Sequence, residues 1–83
     1  MTKRELIAIL NNMYFNSPDG ELVASIHVFG IQFAEEIKAT GATFRELTSL
    51  ADIPASYATE ISKGVKLAKY VTVKQANGAI GLF

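Results

Sequence analysis

The chain of 83 residues has no cysteine and no tryptophan, one histidine and two prolines. Without cysteine there is neither a disulfide framework nor a thiolate metal site. The one histidine, His27, builds no zinc site and no histidine relay by itself. The longest apolar runs fall far short of the ~18–20 residues that cross a bilayer. No basic stretch followed by a long apolar segment marks a secretory leader. Phosphate-binding glycine–lysine loops and dinucleotide fingerprints are missing too. The expectation is therefore a soluble, cytoplasmic domain with no metal and no cofactor.

What the chain does have is apolar surface. Hydrophobic residues make up 49% and charged residues 19%, a balance that folds rather than staying disordered. The length suits one domain, 1–83. Formal net charge is zero, but it is unevenly spread. From Glu5 through Glu36 the acids Glu5, Asp19, Glu21, Glu35 and Glu36 occur without any lysine or arginine. After Glu60 come Lys63, Lys66, Lys69 and Lys74 without any acid. A basic third on a neutral chain reads either as a nucleic-acid face or as lysines that keep an exposed edge soluble.

Periodicity divides the chain into elements. Leu6, Ile7, Leu10, Met13 and Tyr14 recur at helical spacing, and Thr2 with Glu5 forms a capping box, so 1–15 is an amphipathic helix. The turn formers Asn16, Ser17, Pro18, Asp19 and Gly20 end it. A second helix is expected over 21–40, with Leu22, Ile26, Phe29, Phe33 and Ile37 as its stripe and Val23, Val28 and Ile31 widening it. Gly30 inside this helix costs about 1 kcal/mol against alanine and points to a close backbone approach. Gly41 is its stop. Thr43 and Glu46 form another capping box, which starts a third helix carrying Phe44, Leu47, Leu50 and Ala51. Pro54 suits the first position of a fourth helix over 54–63, with Gly64 as its stop. The alternation Tyr70-Val71-Thr72-Val73-Lys74 followed by Asn77-Gly78 predicts a hairpin over 70–83. Its register places Val71, Val73, Ile80 and Leu82 on one face.

The segment from Leu47 to Ile61 resembles the helix-turn-helix signature. Ala51 stands where that family has a small residue in its first helix. Ile53 stands at the aliphatic plug of the turn, and Ala58 and Ile61 stand at the anchors of the recognition helix. The turn departs from the pattern in having Asp52 where glycine is usual, and aspartate tolerates left-handed backbone better than most residues. With the expected hairpin, the order resembles a winged helix-turn-helix domain with one extra N-terminal helix: mainly α with a C-terminal β-hairpin, divided into an accessory helix 1–15, a three-helix core 21–64 and a wing 70–83.

The resemblance implies a small non-enzymatic domain that docks helix 54–63 in the major groove of double-stranded DNA, as a transcriptional regulator or as the recognition module of a larger protein. Ser56, Tyr57, Thr59, Glu60 and Lys63 would face bases or phosphates, and Lys66, Lys69 and Lys74 would sit behind or on the wing and contact the backbone. Arg45 would clamp a phosphate beside the third helix. Tyr57 either stacks on a base or packs on the wing. The alternative is a winged-helix module that binds protein and not DNA, since fold does not determine function. The first helix either caps the core or forms a homodimer contact. Catalysis is not expected. His27 lies in an apolar helix, and Glu35 and Glu36 point about 100° apart on theirs. Asp19-Gly20 lacks the other oxygen ligands of a calcium loop.

Overall fold

The computed structural model describes residues 1–74 and places five helices in them: α1 (Lys3–Phe15), α2 (Leu22–Gln32), α3 (Ala34–Thr40), α4 (Phe44–Leu50) and α5 (Tyr57–Leu67). Among the described residues none of these is long and apolar enough to cross a membrane. The start of α1 follows from its capping box: Thr2 accepts from the Glu5 amide at 3.1 Å, and Glu5 accepts from the Thr2 amide at 2.7 Å. Leu6 and Leu10 then fall on the inward side and are fully buried, each contributing roughly 2 kcal/mol. This helix is a wall of the core. Asn11 also donates its Nδ2 to the carbonyl of Ala51 at 2.8 Å, tying α1 to the end of α4.

The expected single helix over 21–40 is two. The chain leaves helical geometry at Phe33 (φ −112°, ψ 23°), although Phe33 still donates to Phe29 and accepts from Ile37. A straight helix of that length would run about 30 Å. The bend instead returns Ala34 and Ile37 to the core that holds Ile26 and Phe29. Gly41 ends α3 in the left-handed region at φ 70°, as its position predicts.

The capping box of Thr43 and Glu46 starts α4. Its end is a Schellman motif: the Ile53 amide donates to Thr48 and the Asp52 amide donates to Ser49, at 3.0 and 3.1 Å. Asp52 occupies the left-handed position (φ 60°) that the motif usually gives to glycine. Ile53, the next residue, plugs the core. The bonds Tyr57 to Pro54 and Ala58 to Ala55 then form tight turns that lead into α5. Pro54 therefore precedes the helix and is not its first residue. Of the four helix-turn-helix anchors, Ala51, Ile53 and Ile61 are buried and Ala58 is half-buried.

The most extensive helix contact is that of α2 with α5, and two glycines set its closeness. A Cβ on Gly30 would lie 2.6 Å from the Ile61 carbonyl oxygen and 2.9 Å from the Gly64 Cα. A Cβ on Gly64 would strike the carbonyl oxygen of His27. The close approach expected at Gly30 is thus present. Gly64, expected as a stop, lies inside α5, which continues to Leu67 because Gly64 is needed there for contact and not for a reversal.

The β-hairpin wing is corrected. Residues 71–74 form no strand, and the described part of the chain is helical without any sheet. Helical winding persists past α5, since the Val71 amide donates to the Leu67 carbonyl at 3.0 Å. Val71, Thr72 and Val73 then border a shallow depression with Ile31, Gln32, Ala34 and Glu35. Val71 and Thr72 remain exposed and Val73 is half-buried, so neither a ladder nor the helices bury the alternating β-branched residues. The Asn77-Gly78 turn and the second expected strand lie outside the described residues.

Two substitutions test this frame by thermal denaturation. Gly64→Ala should destabilise by about 2 kcal/mol or more by overpacking, lowering the midpoint by about 10 °C. Asp52→Gly should stabilise by roughly 0.5–1 kcal/mol by relieving the left-handed cost.

Candidate nucleic-acid interface

Because Ile61 and Gly64 face inward, the opposite side of α5 faces solvent. At about 100° per residue, that outer side carries Thr59, Lys63 and Lys66, all exposed, with half-buried Ser62 beside them. Two hydroxyls thus precede two ammonium groups along one stripe. Arg45, exposed on the first turn of α4, borders a shallow depression together with Thr43, Phe44, Ala58, Thr59 and Ser62. The structure therefore brings Arg45 and Thr59, distant in sequence, to one surface. Ser56 is exposed at the head of α5 and its side chain caps nothing. Lys69 is exposed just after the helix, and Lys74 is exposed at the end of the described chain.

Two of the expected residues lie elsewhere. Tyr57 is half-buried with its ring edge-on to Tyr14 of α1 (centroids 5.3 Å apart, planes at 80°). It packs on α1 and does not stack outward. Glu60 turns toward α2, where its Oε1 lies 2.6 Å from His27 Nε2; its Oε2 lies 3.6 Å from Lys63 Nζ. Lys66 lies in the last turn of α5.

Sequence reading missed Ser62 and the partnership of His27. Ser62 was findable, since it follows Thr59 by three on the same helix. The His27–Glu60 bond was not, because it joins residues 33 apart whose meeting depends on the crossing of α2 and α5. The bond from His27 is the main reason that Glu60 titrates below its ordinary value, with Lys63 adding to the effect. Among the described residues no group of histidine and carboxylate side chains is arranged to hold a metal ion.

The lowered pKa has a consequence for acid stability. The bonded carboxylate contributes fully above its ordinary value of 4.5 and loses that contribution as pH falls through its lower folded value. Urea denaturation should therefore show that the wild type loses more stability than Glu60→Gln between about pH 5 and about pH 3.

Comparison with known proteins finds that the family described as an HTH-like domain matches residues 2–74. No curated protein and no solved structure matches the chain.

Proposed function

The chain belongs to the family of HTH-like domains, and from that premise we propose that it binds double-stranded DNA without catalysing a reaction. In this reading α5 enters the major groove, as a transcriptional regulator or as the recognition module of a larger protein. The observation that carries the reading is the outer stripe of α5. Thr59, Ser62, Lys63 and Lys66 line it, while the one acid of that helix, Glu60, is drawn back to His27. Threonine and serine hydroxyls bond either bases or phosphates, and lysines neutralise phosphates.

Arg45 grips the backbone from the first turn of α4. Ser56 lies at the head of the groove-facing helix, and Lys69 and Lys74 follow the duplex beyond its end. Tyr57 and Glu60 support the helix from behind and touch no base. Five cations, with no arginine on α5, give modest affinity that falls steeply with salt.

The second reading is a protein-interaction module, which includes a homodimer through α1. It draws on Leu50, 54% exposed, which borders a shallow apolar depression with Ile7, Lys3 and Arg4.

Titration of a mixed-sequence duplex at several salt concentrations separates the two. DNA binding predicts that Lys63→Ala and Lys66→Ala each weaken affinity on every sequence and reduce the salt slope by about one. Thr59→Ala should change sequence preference more than slope. Absence of binding at low salt sinks the DNA reading and leaves the protein partner.

A further inference from the structure

We propose that His27, on the helix behind the groove-facing one, is a positioning residue that controls how much of the Lys63 charge is offered to DNA, acting through Glu60. The inference rests on the DNA-binding reading, in which His27 only holds Glu60 back, and gives that histidine a part in the affinity for DNA. Its basis is a three-member chain. His27 Nε2 lies 2.6 Å from one oxygen of Glu60, and the other oxygen lies 3.6 Å from Lys63 Nζ. The carboxylate is thus shared between a group behind the helix and a cation on its outer side.

Glu60 lies three residues before Lys63, the spacing at which helix side chains pair. Without His27 the carboxylate is free to turn wholly to Lys63 and cancel its charge. With His27 it is held toward α2. The side chain of Lys63 is 59% exposed and that of Glu60 only 21%, so the cation is the outward member of the pair. Protonation of His27 extends the same effect. With neutral imidazole the cluster of His27, Glu60 and Lys63 sums to zero, and with imidazolium it sums to plus one. Imidazole is the side chain whose charge ordinarily changes between about pH 5 and 8, and Glu60 stays ionised across that range.

The ionisable group facing His27 from α5 is Glu60, whose other oxygen meets Lys63 on the outer side. Between Leu22 and Gln32 helix α2 carries no other ionisable side chain. Among the described residues no charged group of α1, α3 or α4 comes within ion-pair distance of His27.

The test is fluorescence anisotropy of a labelled mixed-sequence duplex at about pH 8 and about pH 6, with circular dichroism to establish that each variant is folded. The wild type should bind about two- to fivefold more tightly at the lower pH, with a salt slope steeper by nearly one. His27→Gln keeps a donor for Glu60 but cannot titrate. It should match the wild type at pH 8 and lose the pH response. His27→Ala should bind more weakly than His27→Gln at pH 8, and this loss should vanish when Glu60→Gln is added.

An unchanged pH response in His27→Gln overturns the proposal. So does an equal loss from His27→Ala with or without Glu60, since a merely structural histidine would behave in that way. If His27→Ala does not fold, the comparison of His27→Gln with Glu60→Gln decides the question alone. If Lys63→Ala weakens binding while these pH tests fail, only the role of His27 falls. If the duplex is not bound at all, the DNA-binding reading falls with it.

Discussion

The contact of Gly30 with Gly64 is the constraint on which the rest of the molecule depends. Two helices with side chains at their crossing stand 8–10 Å apart. Removing both Cβ atoms lets α2 and α5 approach until backbone meets backbone. That closeness places His27 within hydrogen-bond reach of Glu60. It also presses Ile61 into the core beside Phe29. Once the inner side of α5 is committed, its outer side follows, and Thr59, Lys63 and Lys66 have no direction left but solvent.

A second constraint sets where α5 begins. The reversal after α4 needs one left-handed residue, and Asp52 supplies it. Aspartate costs more there than glycine, because its Cβ meets the carbonyl that follows. The surroundings hold it in place. Ile53 is locked into the core, and the amides of Asp52 and Ile53 are both spent on the end of α4. Asn11 reaches across from α1 to the Ala51 carbonyl. The first helix thus braces the turn that aims α5, and the fully buried Leu6 and Leu10 hold the brace.

Much of this was legible in the residues, and the reasons are local. Capping boxes at Thr2 and Thr43 require only neighbours three residues apart, and both start helices where expected. The anchors Ala51, Ile53 and Ile61 are readable because a short turn between two amphipathic helices leaves few choices for its buried positions. Gly30 announced a close approach through its cost inside a helix. The break at Phe33 carried no such mark, since neither glycine nor proline stands there. The strand expected at 71–74 failed for a related reason. Alternation reports which residues could share one face of a strand, and not that a neighbour pairs with it or covers it; Val71 and Thr72 stay exposed. At the candidate interface, exposure of Thr59 and Lys63 followed from helical phase. The inward turns of Tyr57 and Glu60 did not, because each found a partner on another helix.

The amino-acid order by itself determined the starts of α1 and α4, the bent turn around Asp52 and the buried anchors Ala51, Ile53 and Ile61, because each is set by interactions within a few residues. Only the tertiary arrangement decided that Gly64 is a contact and not an ending, that α1 is a wall of the core, and that Glu60 looks inward. Those outcomes require two distant segments to occupy one place, and no local preference specifies which segments will meet.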